Sequence, residues 1–483
     1  MRSEALGSED QGVGKPLPKT TPVQNISNVP QWASGVQFAP GETKEIDPEI
    51  AHDLLSLPFF ELHDAVVRGP RPGGQQLAPT TDSYIRELRR ALWPDPTPEA
   101  WVSEFNDSVF PCQTDEFAEI EKADETFSVS FRVLNIDQLH GGNRVIFRVA
   151  NYLARRGHDV SISTRNTAVK SGDLKGIPIR VSMGQLEDAD FVVGTFWTTI
   201  TEVATSRVEG RKVAFMQSDE PSWMEDGHRD KAESIRAFTY PGVKYIPISA
   251  QVGAACQRKY STNCVPEDLW IPGNGVDCLD FSPRINDFNQ RNEVCAIYRG
   301  VWFKGDTSVL NAMAECKRRD RSISVKMAGF NRFTNPVLDE YVLQPPIDDM
   351  ALFYSTSDVY LSGSRIEGSP LPPLEAMACG CIPIVPEIGT EEYLVDGENG
   401  FIIDPNDIQG MADAVMSVYS DDALRRRMIQ NCLITARSRP WSMVGAAFER
   451  ALVSIGAESD EHHQPFHKQA MSWLTGQRSG GGK

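Results

Sequence analysis

Phe127-Ser-Val-Ser-Phe-Arg-Val133, Leu139-His-Gly-Gly142, Val145-Ile-Phe-Arg-Val-Ala-Asn-Tyr-Leu-Ala-Arg-Arg156 and Gly157-His-Asp-Val-Ser-Ile-Ser-Thr164 follow one another almost without a break. Phe127, Val129, Phe131 and Val133 alternate with Ser128, Ser130 and Arg132, the period of a strand with two unlike faces. After Gly141-Gly142 the apolar positions change spacing, to Val145/Ile146, Val149/Ala150 and Leu153, which predicts a helix. Gly157 ends it, and Val160–Thr164 resumes strand periodicity. Strand, Gly-Gly turn, helix and strand make a βαβ unit, and hence a parallel sheet. Similar runs at Phe191–Val193, Lys212–Met216 and Tyr245–Ser249 extend it, so a first Rossmann-like domain is expected over 126–270.

A second series begins at Val294-Cys-Ala-Ile-Tyr298. A helix is expected after Lys304-Gly305, a strand at Ile323–Met327, a helix after Pro345-Pro346, and strands at Val359–Ser362 and near Ile384. A last helix, from Ser442 to Ile455, carries Val444, Phe448 and Leu452 on one face. The expected class is therefore α/β, two doubly wound domains facing a cleft, with the second at 271–458 and including that last crossover helix. Residues 1–45, rich in Gly, Pro, Ser and Thr, read as a disordered segment. Residues 46–125 read as a helical extension, with helical patterns at Ile50–Val67 and Ser83–Leu92. Residues 459–483 read as a disordered tail.

Composition bounds the rest. A chain of 483 residues exceeds the roughly 250–300 residues at which single cores stop growing. Hydrophobic residues make up 40% of it and nine are Trp, ample for packed cores. The formal charge of −18 argues against nucleic acid as a partner. No apolar run of about 18 residues is present, so no spanning helix is expected and membrane contact is at most peripheral. The N-terminus lacks the apolar stretch of a secretory signal, and nine scattered cysteines fit buried reduced thiols, which together suggest a cytoplasmic protein.

The chemistry concentrates in Glu367-Gly-Ser-Pro-Leu-Pro-Pro-Leu-Glu375. Pro372 and Pro373 suit the opening of a helix and Gly380 its end. A turn feeding a helix N-terminus directs several unpaired N–H groups at one point and favours an anion there. Carboxylates on either side of that point could hold the hydroxyls of a sugar and of a ribose, which suggests a nucleotide sugar. Arg299 and Lys304 lie just past a predicted strand, where open parallel sheets bind ligands, and two cations there could neutralise a diphosphate. Taken alone, such a pair is more often solvated. Gly141-Gly142 would let backbone approach a phosphate, although alone it is merely a tight turn and lacks the full Gly-x-Gly-x-x-Gly fingerprint.

Together these features resemble glycosyltransferase family 4 on the GT-B fold, over roughly residues 127–455. The resemblance is carried by Ser364 to Val385, by Gly389-Thr-Glu-Glu-Tyr-Leu-Val-Asp-Gly-Glu-Asn-Gly400, and by Arg299…Lys304-Gly305. Gly141-Gly142 with Leu153-Ala-Arg-Arg-Gly-His-Asp-Val160, and Asn274-Gly-Val-Asp277, add to it. It implies a hexosyltransferase-type enzyme moving a sugar from a nucleotide diphosphate sugar to a glycan or other hydroxyl acceptor, with retention and with no cofactor or metal. Glu367 would touch donor-sugar hydroxyls and Glu375 the ribose. Arg299 and Lys304 would grip the diphosphate, helped by Gly142 and by Gly368, Ser369, Pro370 and Leu371.

The sequence departs from that pattern at Ser369-Pro370, where the family usually has an aromatic residue and a glycine. Pro370 also lacks an N–H. Gln217-Ser-Asp219-Glu220 stands where many relatives carry a His-Asp pair and is similar to a rhamnosyltransferase-like branch. Gln217, Asp219 and Glu220 are thus acceptor-side candidates, and His140, beside Gly141, is expected to face the cleft. Asp188-Ala-Asp190 spells a metal-binding Asp-x-Asp but precedes the buried run Phe191-Val-Val-Gly194, which reads as an ordinary strand start. A GT-B scaffold without catalysis, or another sugar-nucleotide enzyme such as an epimerase or phosphorylase, remains an alternative reading of the residues.

Overall fold

The computed structural model describes residues 21–25, 31–33, 36–38, 43–46, 60–62, 120–136, 141–164, 179–285, 288 and 291–458. The chain divides into two compact units, Met1–Asp95 and Pro96–Lys483.

The described residues of the first unit are strands: β1 (Thr21–Asn25), β2 (Gln31–Ala33), β3 (Val36–Phe38), β4 (Thr43–Ile46) and β5 (Phe60–Leu62). β1 pairs antiparallel with β4 and β5, and β2 pairs antiparallel with β3. Strands β1 to β4 thus stand within or at the edge of the stretch read as disordered, and β5 within the helical pattern read at Ile50–Val67, while the rest of 1–45 lies outside the described residues. Val36-Gln-Phe38 and Phe60-Glu-Leu62 each alternate apolar, polar, apolar, a strand signal too short to stand out among Gly and Pro. The remainder of the expected helical patterns, and the tail after 458, lie outside the described residues.

The second unit holds two six-stranded sheets, parallel throughout. The first uses β6 (Ser128–Val133), β7 (Asp159–Thr164), β8 (Arg180–Met183), β9 (Phe191–Gly194), β10 (Arg211–Met216) and β11 (Val243–Pro247), in the order β11-β10-β9-β6-β7-β8. The second uses β12 (Glu293–Tyr298), β13 (Ser324–Gly329), β14 (Glu340–Leu343), β15 (Val359–Leu361), β16 (Ile382–Val385) and β17 (Phe401–Ile402), in the order β14-β13-β12-β15-β16-β17. In each, the first strand in sequence lies between the second and the fourth. That reversal opens a crevice at the carboxyl ends of β6 and β9 in one domain, and of β12 and β15 in the other.

Ten helices accompany the sheets among the described residues. They are α1 (Gly141–Arg156), α2 (Trp197–Thr205), α3 (Lys231–Ala237), α4 (Ala250–Tyr260), α5 (Asp306–Arg319), α6 (Ile347–Ser355), α7 (Leu371–Ala378), α8 (Ile408–Ser420), α9 (Asp422–Arg437) and α10 (Trp441–Ala457). Helix α1 follows from its stripe: Val145, Ile146, Val149, Ala150 and Leu153 are all buried, and its last turn carries Arg155 and Arg156, favourable at a helix C-terminus.

Helix α10 belongs to the first core although it follows the second domain in sequence. Phe448 is 0% exposed, with its ring 5.9 Å from that of Phe131 and 4.9 Å from that of Phe215. Burying one such ring contributes about 1.5–3 kcal/mol. Beside it, Glu449 accepts from Arg156 Nε at 3.1 Å, from Tyr152 at 3.3 Å, and contacts His158 Nε2 at 2.8 Å. Burial pushes the Glu449 carboxyl up, but the hydrogen bonds from His158 and Arg156 outweigh it and leave the pKa lowered.

Candidate active site

The loops after β12 and β15 meet at one point. After β12, Trp302–Lys304 forms a single 3-10 turn closed by Gly305, whose φ is +69°. A Cβ at 305 would also overlap the backbone of Gly363, so only glycine lets this turn lie against the loop that leaves β15. The turn presents Lys304, whose Nζ donates to Glu367 Oε1 at 2.6 Å. Asp306 holds the start of the turn by accepting from Gly300 N at 2.7 Å; burial raises its pKa, although those backbone donors pull the other way. The Arg299 guanidinium lies 5.5 Å from the centre of the Phe330 ring, at the end of the neighbouring β13.

Pro370 caps α7 with extended backbone (φ −69°, ψ 131°), and Pro372 and Pro373 fall within the first turn. The loop before it is tied to the first domain. Ser249 Oγ donates to the Gly368 carbonyl at 2.7 Å, and a Cβ at 368 would overlap the Gln217 carbonyl. Ser369 Oγ accepts from Asn274 N at 2.8 Å, and its carbonyl accepts from Asn274 Nδ2 at 2.6 Å. Gly141 approaches Leu371 and Gly142 approaches the Gln217 amide, each 3.3 Å from where a Cβ would stand. The structure therefore brings Gly141, Gly142, Gln217, Lys304, Glu367, Gly368, Ser369, Pro370, Leu371 and Glu375 to one cleft between the domains.

Glu375 is 5% exposed. Its Oε1 pairs with the Arg144 guanidinium, from the first turn of α1, and its Oε2 lies 3.5 Å from the Tyr354 hydroxyl. Burial works against the Arg144 charge, yet Glu375 holds its pKa above the ordinary value. A cation at a helix N-terminus opposes the dipole by about 0.3–1 kcal/mol, whereas breaking a buried ion pair costs about 3–5 kcal/mol. The pair therefore dominates the placement of Arg144. One turn on, Arg148 pairs with Asp277 at 2.5 Å and Asp280 at 3.3 Å. A cavity of about 190 Å³ lies beside these groups, lined by Arg144, Arg148, Asp280, Phe281, Ile347 and Glu375 among others.

Some expected residues are placed elsewhere. The Asp219 carboxylate accepts from Ser222 at 2.6 Å and Tyr260 at 2.8 Å and is paired with Lys259, so α4 claims it. Glu220 caps α2, accepting from Trp197 N at 2.7 Å, and burial pushes its carboxyl up to about 8. Asp190 accepts from Ser128 N at 2.7 Å and Asp188 from Glu209 N at 2.7 Å, the structural use expected at a strand start. His140 lies outside the described residues. Among the described residues no group of three or more His, Cys, Asp and Glu could hold a metal ion, and no helix is long and apolar enough to cross a membrane.

Arg144 and the ring pair Trp223–Phe303, stacked at 5.6 Å across the cleft, are site features that sequence reasoning missed, whereas Tyr354 ends the stretch Asp348–Tyr354 that the sequence places near the donor base. For Arg144 a local signal existed: Arg144 and Arg148 stand four residues apart on a helix whose first turn holds no acid to match them.

Comparison with known proteins agrees with this geometry. Residues 280–433, about a third of the chain, match the family of glycosyl transferases group 1. The O-antigen chain mannosyltransferase B of Escherichia coli is 24% identical over 226 residues, 44% of this chain and 55% of that protein. A D-inositol 3-phosphate glycosyltransferase of Corynebacterium glutamicum is 26% identical over 231 residues, 41% of this chain and 55% of that protein. The chain thus spans about half the length of these two curated relatives. Among solved structures, Anabaena HepE in complex with UDP-glucose superposes with a TM-score of 0.55 at 13% identity, over 68% of this chain and all of that one. That likeness shows the fold: two Rossmann-like domains in the GT-B arrangement.

Proposed function

We propose that this protein is a glycosyltransferase that moves a hexosyl-type sugar from a nucleotide diphosphate sugar to a hydroxyl acceptor, with retention of configuration and without a metal or other cofactor. The observation that carries the proposal is the placement of Glu367 and Glu375 on either side of the α7 N-terminus, with Lys304 on the first. An ammonium has three donors, so Lys304 can keep Glu367 and still hold two phosphate oxygens. Arg299, Lys304 and the α7 N–H groups would stabilise the charge that develops on the leaving diphosphate, the part a metal plays elsewhere. Glu367 would hold hydroxyls of the donor sugar and Glu375 those of the ribose. The relatives' printed activities support sugar transfer, and UDP-glucose bound to the Anabaena neighbour supports a nucleotide-sugar donor.

The missing Pro370 N–H leaves the phosphate cradle to its neighbours. Gln217, beside Gly142 and Gly368, is the acceptor-side residue best supported by position. The test is a product assay with a panel of rhamnose, mannose, glucose and galactose nucleotide donors. Wild type should form a new glycosidic linkage from at least one donor, while Glu367→Ala and Lys304→Ala should lose transfer by about 100-fold or more at unchanged melting temperature. Near-wild-type turnover in both variants would sink the mechanism. Product from none of the donors, with none of them bound in calorimetric titration, would favour a non-catalytic scaffold.

A further inference from the structure

We infer that Arg144 is a positioning residue for the donor: it completes the ribose subsite by fixing the Glu375 carboxylate, so that the subsite is whole only when both domains contribute to it. The inference rests on the nucleotide-sugar reading of Glu375. Arg144 stands in the first turn of α1, on the first domain, and Glu375 in α7, on the second. One carboxylate oxygen meets the Arg144 guanidinium; the other faces Tyr354 of its own domain, 3.5 Å away. Each domain therefore supplies one contact to the same carboxylate.

A carboxylate offers about four lone-pair sites. The two contacts leave acceptor capacity for a pair of ribose hydroxyls, so Arg144 and a nucleotide need not compete. Arg144 also lies 5.8 Å from the Phe281 ring, and Arg148 is bound to Asp277 and Asp280. The α1 face is thus seated on the segment that joins the domains, which keeps the guanidinium in register with Glu375. Separating the domains would strip this cation from a buried carboxylate and leave the Tyr354 hydroxyl alone to orient it. Nucleotide binding and domain closure are then linked: a ribose held by Glu375 favours the arrangement in which Arg144 is present.

The test uses the full chain, with UDP, GDP and ADP titrated calorimetrically into wild type, Glu375→Ala, Arg144→Gln, Arg144→Lys and the double variant Arg144→Gln/Glu375→Ala. Melting temperatures are measured on each. Wild type should bind at least one of the three, and Glu375→Ala and Arg144→Gln should each weaken it by about tenfold or more. The double variant should bind no more weakly than Glu375→Ala alone, because the two residues act through one contact. Arg144→Lys should recover part of the loss, and it carries the test if Arg144→Gln does not fold. The inference is overturned if Arg144→Gln and Arg144→Lys bind like wild type, with or without a lowered melting temperature, or if the losses multiply in the double variant. Wild type binding none of the three would instead bring down the nucleotide-sugar reading itself, and the inference with it.

Discussion

Glu220 shows how one side chain can tie stability to pH in this fold. Its carboxyl is 2% exposed and pushed up to about 8 by burial, with Trp197 N as its donor. The folded chain therefore holds a proton that the unfolded chain releases near the ordinary carboxylate range. The stability linked to this group is fully present below that range and is lost as pH rises toward about 8. Glu220→Gln keeps an oxygen for Trp197 and removes the charge. Its unfolding free energy should match wild type near pH 4 and exceed it at pH 8, by a margin on the order of 4 kcal/mol, read as a higher melting temperature. Identical pH dependence of the two proteins would refute the assignment. The same residue marks a limit of the sequence: Gln217-Ser-Asp-Glu220 reads as an acceptor motif. Only packing shows that Asp219 answers Lys259 and Tyr260 while Glu220 caps a helix. Glu367, Glu375 and Lys304 were legible because turn, helix start and cation lie in short, chemically distinctive runs. For Arg144 the sequence held only the hint of an unmatched cation pair with Arg148, because its partner is 231 positions away and on the other domain.

At the scale of elements, periodicity carried the long, regular pieces. Helix α1 and strands β6, β9 and β12 fall close to where the 3.6-residue stripe, the alternation in β6 and the short apolar runs of β9 and β12 put them, although in β6 the alternate positions Ser130 and Arg132 are buried as well. The three- to five-residue strands β1 to β5 were hidden by their length and by the Pro and Gly around them. Helix α10 was legible as a helix, but its apolar face names no partner. Phe448 shows the partner, lying against Phe131 and Phe215. Phe448→Ala should cost about 3–5 kcal/mol in urea unfolding, through the cavity it leaves. A loss below about 1 kcal/mol would mean that α10 contributes little to the first core.

For the whole molecule, the loop at Gly368 is where the two sheets' ligand-binding ends come together. Ser249 holds its carbonyl, and a Cβ there would run into Gln217. Gly368→Ala should force the domains apart: the radius of gyration by small-angle scattering should rise, and kcat/KM should fall at least about tenfold, as expected when reacting groups lose their mutual geometry. Unchanged scattering and activity would show that the loop yields more easily than the fold implies.

The return of α10 to the first core also bears on how the chain is made. The first sheet and its helices are complete by Tyr260, yet the ring that fills their centre, Phe448, emerges from the ribosome only after the second domain has been synthesised. At ~5–20 residues per second, the roughly 200 intervening residues impose a wait of about 10–40 s. During that interval the half-built first domain keeps an apolar groove uncovered, and a chaperone would find it there.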